Sequence, residues 1–178
     1  MKYTLAIDIG DVAVKKGTDY EDENSNYIVE FYPNFLETIS KLKEEGNELF
    51  FNSYCGPERE KKIKDYFRTV EEITKSIPET NWIFIRDKKE KPIVCNKIKA
   101  DIFIDDNFEI CKNVRKNSKT KHIIWFNETI LKIIPAKKQD SNNVKKQQYI
   151  EDRIREISEL KITQLRTWID VYQFIHKI

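Results

Sequence analysis

Five short apolar runs, each too short to make a helix, constrain this chain more than any other feature. They cover residues 3–7, 49–51, 82–85, 102–104 and 122–126. Each is rich in β-branched or aromatic residues, as expected of strands buried on both faces of a parallel sheet. Helical patterns separate them. Residues 33–45 open on a proline suited to a first helical turn, align Phe35, Leu36, Ile39 and Leu42, and stop at Gly46. Residues 57–67, 69–76, 92–99 and 108–116 read as four more helices. This strand–helix alternation gives βαβ units, and so an α/β fold with a doubly wound parallel sheet and flanking helices. In such sheets ligands bind beyond the carboxyl ends of the strands, so chemistry is to be sought just after each run.

Two segments depart from the alternation. Residues 15–30 are polar and acidic in the middle, and are expected to form a loop or β-flap over the end of the first strand. Residues 136–143 read as a polar linker. Beyond them, residues 144–160 set Tyr149, Ile150, Ile154, Ile157 and Leu160 at helical spacing, and residues 167–178 carry Trp168, Ile169, Val171, Tyr172, Phe174 and Ile175. The organisation expected is an α/β core over 1–135, with little or no cap, and a helical C-terminal extension over 136–178 packed on it. A chain of 178 residues suits one such core.

Composition excludes several functions. The 32 basic and 30 acidic residues leave a net charge of only +2, without the basic excess of a nucleic-acid-binding domain. Lysine-rich stretches such as residues 61–64 read as solvated helix faces, with a phosphate-backbone contact surface as the other reading. Cys55, Cys95 and Cys111 are too widely spaced for a zinc site and suit a reducing compartment. The apolar N-terminus is shorter than a signal peptide, and no stretch approaches the roughly 18 apolar residues of a membrane span. A cytoplasmic protein with no membrane partner is expected. His122 reads as a strand residue, His176 as a helix-end residue, and Cys55 as packing behind the strand ends.

The residues that close the runs share one chemistry. Asp8 follows the first, Asn52 and Ser53 the second, Arg86-Asp87-Lys88 the third, and Asp105-Asp106 the fourth. Carboxylates brought together from different strands repel unless a cation lies between them, and Mg2+ favours carboxylates, carbonyls and water. A carboxylate beside such an ion can attack phosphorus or carbon covalently, while a hydroxyl and an ammonium hold the transferring group's oxygens.

This ordered set resembles the haloacid-dehalogenase-like (HAD-like) superfamily over roughly residues 1–126. A closer resemblance is to a small group with Asp8-Ile9-Gly10, Ser53-Tyr54-Cys55-Gly56, Arg86 followed by Glu90-Lys91-Pro92, and Phe103-Ile104-Asp105-Asp106. The resemblance implies a Mg2+-dependent hydrolase of a phosphorylated substrate such as a nucleotide, a nucleic-acid end or a phosphoprotein. Asp8 is then the nucleophile, and Asp8, the Gly10 carbonyl, Asp105 and Asp106 are the metal ligands. Ser53, or Asn52 in the other register, would bind phosphoryl oxygens with Lys91, and Arg86 would assist.

One departure stands out. HAD-like phosphatases carry an acid/base aspartate two residues after the nucleophile, and here that position is Gly10. General acid–base catalysis contributes about 10²–10⁴-fold, so its loss implies slow turnover. Three readings follow. Asp11 substitutes for the missing group; or the substrate needs no proton donor; or the domain is catalytically degenerate and binds a phosphate-bearing ligand or a protein partner. Asp11 as a turn residue is the structural alternative to the first.

Overall fold

The computed structural model describes residues 2–15, 20–21, 27–127 and 141–178. Six strands form one sheet: β1 (Thr4–Ile7), β4 (Glu48–Tyr54), β5 (Trp82–Ile85), β6 (Ile102–Asp105), β7 (His122–Phe126) and β8 (Ile162–Leu165). Every neighbouring pair is parallel, in the order β5-β4-β1-β6-β7-β8. β1 and β6 thus lie side by side at the centre, with β4 on the other flank of β1.

Because side chains alternate across a strand, the two faces of the sheet make two cores. Leu5, Ile7, Phe51, Ile104 and Phe126 point to one face, where α1 (Phe35–Glu44), α2 (Pro57–Phe67), α3 (Glu71–Ser76) and α7 (Trp168–Ile175) cover them. Ala6, Phe103, Ile123 and Trp125 point to the other, under α4 (Lys91–Lys97), α5 (Phe108–Asn117) and α6 (Ser141–Glu159). All five anticipated strands and all five anticipated core helices are present, with shifts of a few residues at their ends. α1 ends where Gly46 adopts φ +88°, a left-handed conformation costly for other residues.

The C-terminal extension differs from the helical reading. α6 begins at Ser141, inside the segment read as a linker, and residues 136–140 and the expected boundary at 135 lie outside the described residues. After α6 the chain adds β8 to the edge of the sheet. Only Ile162 of β8 is fully buried, because an edge strand wets much of its surface, and so no apolar run marks it. α7 then returns to the core. Its Trp168 is wholly buried and donates from Nε1 to the Val12 carbonyl at 2.8 Å, tying the extension to the loop after β1.

Thr167 caps α7: its hydroxyl accepts from Asp170 N, and the Asp170 carboxylate accepts from Thr167 N, each at 3.1 Å. Thr167→Ala is expected to cost about 1 kcal/mol in denaturant unfolding, and Thr167→Ser to retain most of it.

The expected flap is a short antiparallel hairpin, β2 (Tyr20–Glu21) with β3 (Tyr27–Ile28), set beside α2. Its base is held by Lys15 N donating to the Glu30 carbonyl at 2.8 Å and by a Lys15–Glu30 ion pair. Among the described residues, no helix is long and apolar enough to cross a membrane.

Candidate active site

Asp8 follows β1 directly, and its amide donates to the Ile104 carbonyl at 2.9 Å, so the end of β1 is fastened to the end of β6. That bond sets the Asp8 side chain beside Asp105 and Asp106. Oxygens of the three carboxylates lie within 4.8 Å of one another. Lys91 reaches the same point from the first residue of α4. Its ammonium stands 3.0 Å from Asp8 Oδ1 and 2.5 Å from Asp105 Oδ2, with the side chain 1% exposed. Burial works against that charge, but Asp8 and then Asp105 outweigh it and hold the ammonium above its ordinary range.

Asp105 and Asp106 divide the work. Asp105 is fully buried; one oxygen takes Lys91 and the other accepts from Asn107 N at 2.8 Å. Burial pushes its carboxyl up, and the Lys91 ammonium pulls against that. Asp106 instead lines an open cleft of about 540 Å³. Burial, then the charges of Asp8 and Asp11, raise it to about 6. Its carbonyl accepts from Trp125 Nε1 at 2.7 Å, which fixes the backbone there.

Ser53 lines the cleft with Asp8, Gly10, Asp11, Lys91 and Asp106. Asn52, its neighbour, points to the opposite face of β4. It is wholly buried and donates to the Lys91 carbonyl at 3.2 Å, so it anchors the start of α4 and does not line the cleft. Arg86 is also outside the cleft lining. It donates to the Cys55 carbonyl at 2.8 Å and pairs with Glu60 at 2.5 Å, bracing the turn after β4. Asp11 has φ 55°, donates its amide to the Val14 carbonyl at 2.8 Å, and lies near enough to Asp106 to raise it. It therefore serves the turn and also lines the cleft. At Gly10 a Cβ would meet nothing within 4 Å. Cys55 lines the cleft too, but burial raises its thiol, as befits a packing residue.

The donor set fits a hard divalent cation. Oxygens bound to one Mg2+ at about 2.1 Å are roughly 3–4 Å apart, a spacing compatible with carboxylate oxygens that lie within 4.8 Å of one another here. Asp8 Oδ1 is buried, with the Lys91 ammonium 3.0 Å away as its ion-pair partner. Asp8 and Asp106, with the Gly10 carbonyl, are the groups that would hold the ion; the oxygens of Asp105 are already engaged.

Tyr54, Arg59, Lys88 and Asn107 also line the cleft; Tyr54 and Lys88 were named in the sequence without a role in the site, and Arg59 and Asn107 were not named. Asn107 had a readable signal: an N-cap residue before an apolar helix, and its side chain accepts from Glu109 N at 3.0 Å.

No family model and no curated protein matches the chain. Among solved structures, an uncharacterized protein from Listeria monocytogenes serotype 4b is 16% identical, with a TM-score of 0.51 over 99% of both chains. The likeness is one of fold, a doubly wound parallel α/β sheet with flanking helices. Weaker matches include 3-deoxy-D-manno-octulosonate 8-phosphate phosphatase from Moraxella catarrhalis, solved with magnesium, phosphate and KDO (14% identity, TM-score 0.42, 69% of this chain and 67% of that one). A Vibrio cholerae protein provisionally named for the same activity is also 14% identical, with a TM-score of 0.46; the match covers 69% of this chain and 65% of that one. Within that fold, Asp8 stands at the end of β1, Ser53 on the strand to one side of it, and Asp106 after the strand on the other.

Proposed function

We propose that this protein is a Mg2+-dependent phosphatase that works through a phosphorylated Asp8. The observation that carries the reading is the buried Asp8 carboxylate at the floor of an open cleft, flanked by Ser53, Lys91 and Asp106. Asp8 attacks the phosphorus of a phosphomonoester, and the bond from phosphorus to the leaving oxygen breaks as the acyl phosphate forms. Ser53 and Lys91 hold the phosphoryl oxygens and offset their growing charge. Water then cleaves the acyl phosphate and releases inorganic phosphate. Mg2+, held by Asp8, the Gly10 carbonyl and Asp106, supplies charge neutralisation for the phosphoryl group when bound.

Asp11, which lines the cleft, is a candidate donor of the proton for the leaving oxygen. Gly10 favours a second reading, a HAD-like binding protein for phosphate-bearing ligands that does not turn them over.

The test is phosphate release from p-nitrophenyl phosphate by the purified chain. Release is expected to appear on addition of Mg2+, to stop with chelator, and to be slow. Release that is indifferent to Mg2+ sinks the reading; Mg2+ binding with no release from any ester favours the second one.

Metal binding carries its own pH signature. Folding raises Asp106 from 3.8 to about 6, so between those values the folded chain holds more protons than the unfolded one. On this account the metal-free protein loses stability as pH rises through that window. Mg2+ needs the ionised carboxylate, so its stabilisation is present above pH 6 and fades below it. Thermal melts at pH 7.5 with Mg2+ at 100 times its Kd are expected to gain about 2.7 kcal/mol, and much less at pH 5.

A further inference from the structure

The carboxylates of the cleft are confined to one side of it, where Lys15 also lies. These carboxylates, Asp8, Asp11 and Asp106, all follow β1 and β6. The opposite wall, built by residues after β4 and β5, contributes Tyr54, Arg59 and Lys88 and no carboxylate to the lining. Tyr54, the last residue of β4, keeps 45% of its surface exposed. Lys88 holds its ammonium 5.4 Å from the centre of that ring.

An aromatic ring left open to water at the mouth of a polar cleft forgoes the burial that usually justifies its size. It can recover that burial against a planar ligand. Base stacking on an aromatic side chain serves any nucleobase, because every base has a π-face, and nearby lysine and arginine meet phosphate. The wall therefore matches a substrate whose far end is both planar and anionic. A serine or threonine phosphopeptide offers neither feature of necessity.

Resting on the phosphatase reading above, we infer that the substrate is a nucleotide carrying a second phosphate. Its base stacks on Tyr54, its second phosphate meets Lys88 and Arg59, and the phosphate to be removed reaches Asp8. Two sources share this chemistry: a free nucleoside bisphosphate and the phosphorylated end of a nucleic acid.

Binding tests the subsite independently of turnover. The full chain bearing Asp8→Asn, which cannot form the acyl phosphate, is titrated in Mg2+ by calorimetry with three ligands. They are adenosine 3′,5′-bisphosphate, a 5′-phosphorylated oligothymidylate and β-glycerophosphate. At least one nucleotide ligand is expected to bind more tightly than β-glycerophosphate. Adding Tyr54→Ala is expected to weaken that nucleotide by about 5- to 100-fold, and to weaken β-glycerophosphate less. Tyr54→Phe should restore the preference, which a general disturbance of the fold would not. A tighter oligonucleotide identifies a nucleic-acid end, and a tighter bisphosphate a free nucleotide. β-Glycerophosphate binding as tightly as both nucleotides, or Tyr54→Ala weakening all three alike, overturns the inference. If the wild-type chain releases phosphate from no ester while nucleotide preference persists, the phosphatase reading fails and the subsite stands.

Discussion

Gly10→Asp is expected to raise Mg2+-dependent phosphate release by about 10²–10⁴-fold, the usual worth of a positioned general acid. Gly10 stands two residues after Asp8, where HAD-like phosphatases keep their acid/base aspartate. The backbone there is not in the left-handed region, and a Cβ would find no atom within 4 Å, so a side chain fits without strain. The new carboxylate would line the cleft that Gly10 already borders and reach the leaving oxygen of a bound ester. Gly10→Asn is the control: it adds equal bulk and no proton. The gain should appear in kcat on poor leaving groups and shrink on p-nitrophenyl phosphate, whose leaving oxygen needs little protonation.

The same experiment weighs Asp11. If Asp11 already supplies the proton, Gly10→Asp will gain little and Asp11→Asn will lose most of the wild-type rate. Asparagine tolerates a φ of 55° as well as aspartate does, so that substitution changes the proton and spares the turn. Gly10→Asp and Gly10→Asn giving equal rates, with Asp11→Asn also silent, would remove proton donation from the account altogether.

How much of this was legible in the sequence depended on burial. The central strands were readable because both faces are covered, so Leu5-Ala6-Ile7 and Ile102-Phe103-Ile104 are apolar without interruption. β8 was not, because at the sheet edge only Ile162 must avoid water. Within the site, the positions were legible and the division of labour was not. Asn52 and Ser53 are adjacent, and strand alternation sends one inward to Lys91 and the other into the cleft; which is which depends on the register of β4 between β1 and β5. Asp105 and Asp106 part in the same way, one to hold Lys91 and one to face the cleft. Tyr54 and Lys88 were visible only as residues at strand ends and Arg59 not at all, since exposed residues follow no periodicity until the fold gathers them into one wall.

Lys91 is where stability and chemistry are expected to separate most clearly. It is the cation set between Asp8 and Asp105, and Lys91→Met keeps its length while leaving those carboxylates without it. Breaking a buried ion pair from one side costs about 3–5 kcal/mol, because the remaining charge stays buried. The metal-free variant is expected to unfold at correspondingly lower denaturant. Mg2+ should return part of the loss, since it binds the carboxylates that Lys91 no longer offsets. Asp8→Asn works in the opposite direction. It removes one of the two carboxylates paired with the Lys91 ammonium and a like charge beside Asp106, so the metal-free protein should become more stable while phosphate release disappears. Opposite shifts in stability with loss of phosphate release in both variants would mark the cluster as a site held under electrostatic tension for catalysis. Equal destabilisation by both substitutions would instead mark Asp8 as a structural partner of Lys91, and the nucleophile would have to be sought elsewhere.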